Sequence, residues 1–150
     1  MMYCINCPTG FEDYVKDEIN KLPDISALLP KKTMYIRRGG SWHKNEYVII
    51  PGYVFVETAA PITDEIYYMV RGVNRVSGWL GADGPESLCK SDEEFVKFIS
   101  NNGNALPILK ATSPMIKKCI IGGIDKRQRR ITLMFHLFEK VHKITFGFEV

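Results

Sequence analysis

No uninterrupted apolar run in this sequence approaches the roughly 20 residues that a membrane-crossing helix needs. No charged-then-apolar leader opens the chain either, so a cytoplasmic protein without membrane contact is the expectation. Cysteine is scarce. Cys4 and Cys7 form a C-x-x-C, but no second pair and no close histidine pair completes a tetrahedral metal set. Both cysteines fall in strand-like sequence, where positions three apart face opposite ways, and they read as reduced thiols used as small apolar residues. Gly122-Gly123 lacks the lysine and the spacing of a phosphate-binding loop. His43, His136 and His142 have no evident partners, although the last two are placed to approach one another. No carboxylate pair or Cys/His arrangement at helical or strand spacing argues for catalysis. An enzyme, a cofactor and a metal are therefore not expected.

What is present is ordinary globular composition: 150 residues, 45% hydrophobic and 25% charged. That suffices for one domain with a real core, or for a domain with a small module. The net charge of +3 hides an asymmetry. Residues 1–100 carry 11 Lys+Arg against 14 Asp+Glu, whereas residues 101–150 carry 9 against 3. A basic module on a mildly acidic body fits either contact with a polyanion or a solvated basic surface.

Hydrophobic spacing predicts the elements. Tyr3 to Cys7 reads as a strand. Thr9 and Glu12 form a capping box before a helix with Phe11, Val15, Ile19 and Leu22 on its inner face, closed by Pro23. Met34–Arg38, Tyr47–Ile50 and Tyr53–Glu57 read as strands. Thr63 opens a second helix with Ile66, Met69 and Val70 inward, and Arg75–Leu80 reads as a further strand. Ser91 and Glu94 suggest a second capping box, with Phe95, Phe98 and Ile99 facing in. The order is β-α-β-β-α-β plus a helix, an α+β fold with an antiparallel sheet and its helices mainly on one face. Asn101–Pro107 has linker composition. Beyond it, Cys119–Ile124, Ile131–Leu137 and Ile144–Phe148 alternate with period two, as in a small all-β barrel or sandwich. The expected division is a domain over 1–100, a linker over 101–112 and a β module over 113–150. So few residues make a marginal core unless a neighbour completes it.

The stretch Pro51-Gly52-Tyr53-Val54-Phe55-Val56-Glu57 poses the functional question. Val54 and Val56 suit a helix-covered sheet face, which leaves Tyr53 and Phe55 on the other. Two readings stand side by side: both aromatics are core, or they form an exposed patch of the kind that marks an interaction site.

The segment MYCINCPTGFEDYVKDEINK, the RRG segment, PGYVFVE and VRGVNRVSGWLG together resemble the N-terminal domain of NusG-type transcription elongation factors, over nearly all of residues 2–100. IGGIDKRQRR and FGFEV resemble the SH3-like KOW module that follows it in that family. Ser113-Pro114 replaces the usual Gly-Pro there, and Cys119 stands where a glycine is the rule. The basic IDKRQRR turn and the lack of a long insertion look like the specialised antitermination paralogues of the LoaP and RfaH kind. The resemblance implies a non-enzymatic protein that binds the clamp helices of the RNA polymerase β′ subunit, bridges towards β, and suppresses pausing or termination. The C-terminal module would contact RNA, a ribosomal protein or a termination factor.

Transferred onto this sequence, the resemblance puts the polymerase-binding pocket at Tyr53 and Phe55, with Pro51 beside them and Trp79, Tyr35 or Ile36 completing a hollow for an amphipathic helix. Arg71, Arg75 and the weaker companion Lys16 are candidates for the non-template DNA strand. For the two arginines, the competing reading is a cation favoured at a helix C-terminus by the helix dipole. Lys117, Lys118, Lys126, Arg127, Arg129 and Arg130 lie on two segments read as loops, and are candidates for nascent RNA. The alternative is a stand-alone RNA-binding or ribosome-associated protein using the sheet as its platform; the RNP aromatic signature it would need is absent. An enzyme on a ferredoxin-like scaffold is a third reading that fold alone would not exclude.

Overall fold

The computed structural model describes residues 1–81 and 84–150. In chain order the elements are β1 (Met2–Asn6), α1 (Glu12–Asn20), β2 (Ile25–Leu28), β3 (Lys31–Arg38), β4 (Ser41–Val48), β5 (Tyr53–Thr58), α2 (Asp64–Arg71), β6 (Gly78–Trp79), α3 (Lys90–Ser100), α4 (Pro114–Lys118), β7 (Ile120–Asp125), β8 (Arg130–Leu137) and β9 (Lys140–Gly147). They form a mixed α+β architecture with antiparallel sheets. Two compact units emerge: Met1–Leu29 with Ile50–Val96, and Pro30–Ile49 with Lys97–Val150. This grouping differs from a division at residue 100, because the segment 30–49 goes with the C-terminal residues.

The first unit holds an antiparallel sheet ordered β2-β5-β1-β6. Tyr3, Ile5, Val54 and Val56 occupy one face and pack with Val15 and Ile19 of α1 and Val70 of α2. β2 is absent from the sequence reading: its four residues, between Pro23 and Pro30, bury only Ile25 and Ala27, too brief an alternation to announce a strand. β6 is shorter than the predicted Arg75–Leu80, since Arg75 sits at φ 76 and belongs to the preceding turn.

Helix starts differ in an informative way. Thr63 caps α2 as read, its hydroxyl accepting from the Ile66 N–H at 3.2 Å. α1 has no such cap. Phe11 occupies the N-cap position and is 37% exposed rather than inward-facing. Glu12 turns in instead, to 4% exposure, where its two carboxylate oxygens accept from Gly10 N–H at 2.7 Å and Gly52 N–H at 2.9 Å. α3 begins at Lys90, which places Ser91 inside the helix rather than at its cap; Val96 and Ile99 carry the buried stripe.

In the second unit β3 and β4 pair as a hairpin and β7-β8-β9 form an antiparallel meander. β8 buries Ile131, Leu133, Phe135 and Leu137, as the period of two predicts. Phe138 and Glu139 both have positive φ, 57° and 59°, the geometry of a two-residue turn between twisted strands. Part of the expected linker is built in. Leu106 N–H donates to Lys31 C=O and Leu106 C=O accepts from Thr33 N–H. Leu109 bonds Gly147 C=O and Glu149 N–H, and Leu106, Ile108 and Leu109 are buried. At Gly147 the chain passes so close to β3 that a Cβ would lie 2.6 Å from the Thr33 carbonyl oxygen.

Candidate functional site

β5 runs between β1 and β2, so each of its residues has a cross-strand neighbour on both sides. Val54 and Val56 face the helices, as read. Tyr53 and Phe55 share the opposite face, but Phe55 has 0% exposure, beside Met2 and Cys4 at 0% each. The expectation of a contiguous exposed patch of Tyr53 and Phe55 is therefore corrected: the Phe55 ring is sealed. The physical reason is that this face is packed as well as the helix-covered one: Met2 and Cys4, which share it on β1, are as fully closed to water as Phe55. Tyr53 stays half-buried next to exposed Pro51.

The corner at 51–53 is held rigidly. Gly52 has φ 87°, which favours glycine, and its carbonyl accepts from Cys7 N–H at 3.0 Å while its N–H reaches Glu12. Cys7 is raised above the usual thiol pKa, first by burial and then by the Glu12 charge; burial, then Cys7, raises Cys4 further still. Both thiols are free and buried, and they stay protonated.

The remaining residues of the expected hollow divide between the two units. Trp79 pairs with Ile5, on the helix-covered face; its ring stacks on Tyr67 at 6.2 Å and meets Tyr3 edge-on at 6.0 Å. Tyr35 and Ile36 belong to the hairpin of the other unit. There Tyr35 is buried, and its hydroxyl donates to Glu149 at 2.9 Å.

Of the candidates for DNA, Arg71 and Arg75 are exposed. Arg71 donates to Ser77 C=O at 3.3 Å and so clasps the turn before β6. Arg75 lies 4.4 Å from the Phe11 ring centroid, a cation–π contact that brings the start of α1 to that turn. Lys16 is ion-paired with Asp13 and Asp17 at 3.9 Å each.

The six candidates for RNA separate into different roles. Lys117 and Lys118 end the short helix α4 instead of lying on a loop, with Lys118 4.7 Å over Phe98. Lys126 and Arg127 are exposed in the β7–β8 turn, which Asp125 shapes by accepting from Gln128 N–H. Arg130 opens β8. Arg129 is drawn inward, 4.9 Å from the Tyr35 ring and 4.8 Å from the Trp42 ring. Sequence reasoning missed Trp42 and Arg37, which face each other across the hairpin; the signal was an aromatic and cation pair flanking the Gly39-Gly40 turn. His136 and His142 do not approach on one face: His142 pairs with Phe135, the neighbour of His136, and its ring stacks there at 5.6 Å. Among the described residues no helix is long and apolar enough to cross a membrane.

The family model of NusG, transcription termination factor, matches residues 2–108. The chain belongs to the NusG family. Relatives named transcription termination/antitermination protein NusG include those of Buchnera aphidicola, 30% identical with 66% of this chain and 58% of the relative covered, and of Yersinia pestis, 31% identical with 61% and 54% covered. The chain thus spans little more than half the length of these NusG relatives. The solved structure titled "Domain interaction in Thermotoga maritima NusG" shares the fold, with a TM-score of 0.63 at 18% identity, covering 97% of this chain and 92% of that one.

Proposed function

We propose that this chain is a transcription elongation and antitermination factor that acts by binding rather than catalysis. It docks on the β′ clamp helices of RNA polymerase through the first unit, reaches towards β, and suppresses pausing or termination in the cytoplasm. The family match over residues 2–108 carries this reading. The corner at Pro51-Gly52-Tyr53, with a half-buried ring beside an exposed proline, supports a docking point there. Phe55, on the same sheet face, is packing. The exposed guanidiniums of Arg71 and Arg75 are offered to the non-template DNA strand, and the basic residues of the second unit to nascent RNA, with a ribosomal protein or termination factor as the further partner class.

The test is a pull-down with core RNA polymerase. Tyr53→Ala is expected to lose at least about ten-fold in affinity with its thermal melt little changed, since truncating an aromatic at an interface centre costs 2 kcal/mol or more. Retention by a folded Tyr53→Ala protein at wild-type level removes this docking point.

A further inference from the structure

We propose that the aromatic–arginine face of the β3–β4 hairpin, completed by Arg129, is a binding site for single-stranded nucleic acid. This rests on the reading that the basic second unit contacts nucleic acid, and relocates the centre of that contact from the β7–β8 turn to the hairpin.

The register pairs Tyr35 with Lys44 and Arg37 with Trp42, which sets all four on one hairpin face. Their geometry is concentrated. The two rings meet edge-on at 6.1 Å. Arg129 lies against both, Arg37 is 5.6 Å from the Trp42 ring, and Lys44 is 5.8 Å from the Tyr35 ring. One arginine would be enough to fasten the β7–β8 turn to the hairpin; here three cations surround two rings. Arg129 adopts φ 56° to reach them, a backbone state that a non-glycine residue holds only where its surroundings insist. Two carboxylates border the face. Glu149 is engaged by the Tyr35 hydroxyl and by Lys110 at 3.4 Å, which leaves its charge compensated. Glu46 pairs with Thr33 further along the hairpin, beside a hollow of about 560 Å³ lined by Thr33, Lys44, Asn45 and Glu46.

A guanidinium close to an aromatic ring keeps N–H donors suited to a phosphate; the partly exposed Trp42 ring and the exposed Arg37 guanidinium can each accept a stacked base, with buried Tyr35 backing them. Arg37, Arg38 and Lys44 are exposed on the hairpin, as are Lys126 and Arg127 on the turn. Open space surrounds Gly39 and Gly40 at the tip. Cations that follow a backbone around stacking planes are the chemistry of single-strand recognition.

Trp42 is also the reporter. The chain has two tryptophans, so Trp79→Phe leaves Trp42 as the sole indole. In that background an end-labelled single-stranded RNA of roughly twelve nucleotides, and the DNA of the same sequence, are titrated at low and at raised salt, with affinity read from the anisotropy of the label and the site from Trp42 quenching. The expected result is quenching of Trp42 by at least one of the two, with affinity that falls steeply with salt. Arg37→Ala, at an exposed position, is expected to weaken binding about ten-fold, and Trp42→Ala by ten- to a hundred-fold, with Trp42→Phe largely restoring it. Whichever of the two strands binds more tightly identifies the source. Binding that leaves Trp42 unquenched and tolerates Arg37→Ala overturns the hairpin site while keeping the turn residues Lys126 and Arg127 as the contact. No binding of either strand at low salt overturns both nucleic-acid readings; the polymerase pull-down reports separately on docking.

Discussion

Lys32 is a cation that the fold draws inward. Its ammonium donates to the Thr145 carbonyl and sits 5.4 Å over the Phe146 ring. Burial first, and then the positive charge of Arg130, lower its pKa from 10.5 to about 8. Between those values the unfolded chain holds a proton that the folded chain has released, so this group's contribution to stability rises as the pH climbs from about 8 towards 10.5. The stability gap between wild type and Lys32→Met is therefore expected to shift in favour of wild type as the pH passes through that window. Denaturant unfolding of both proteins at neutral pH and near the upper end of the window measures it, and a gap that does not move with pH contradicts the assignment. Glu12 shows the opposite strategy at the same scale: a buried carboxylate satisfied by two backbone N–H groups, one of them forty residues away in sequence.

At the scale of the element, β5 shows that parity alone does not set exposure. Phe55 and Tyr53 share a face, yet one ring is sealed and the other half-open. Phe55→Ala is expected to destabilise the protein by about 3–5 kcal/mol, the cost of deleting a fully buried phenyl ring. Urea unfolding measures this, and a loss below about 1 kcal/mol would mean that the ring is not packed as described. A binding defect in that variant would thus report unfolding, which is why Tyr53→Ala is the diagnostic substitution. The strand itself and the inward valines were legible from alternation alone. The fate of its outward aromatics was not, because that depends on which distant segments return to cover the second face.

At the scale of the whole molecule, a sequence-continuous domain and a compact unit are different things. The hairpin of β3 and β4 is tied to residues 106–109 by backbone bonds, and β3 packs against β9 at Gly147. A chain ending at Ser100 is expected to keep slow amide exchange in β1 and β5 but to lose protection throughout 31–48, since an isolated two-stranded hairpin is marginal in water. Hydrogen exchange on the shortened chain reads this directly, and a hairpin that stays protected argues that its stability is its own.

Local patterns by themselves determined the three longer helices, though not the short α4, and most of the strands with their hydrophobic faces, because spacing of 3.6 or 2 is set by backbone geometry that every residue shares. They also determined the family resemblance, through motifs such as PGYVFVE that survive as contiguous residues. Only the tertiary structure decided that β2 joins the sheet, that Phe55 lies inside, and that Arg129 leaves its basic neighbours for Tyr35 and Trp42. Each of these depends on contacts between residues far apart in the chain, and their energies come from burial and charge placement that no local window contains.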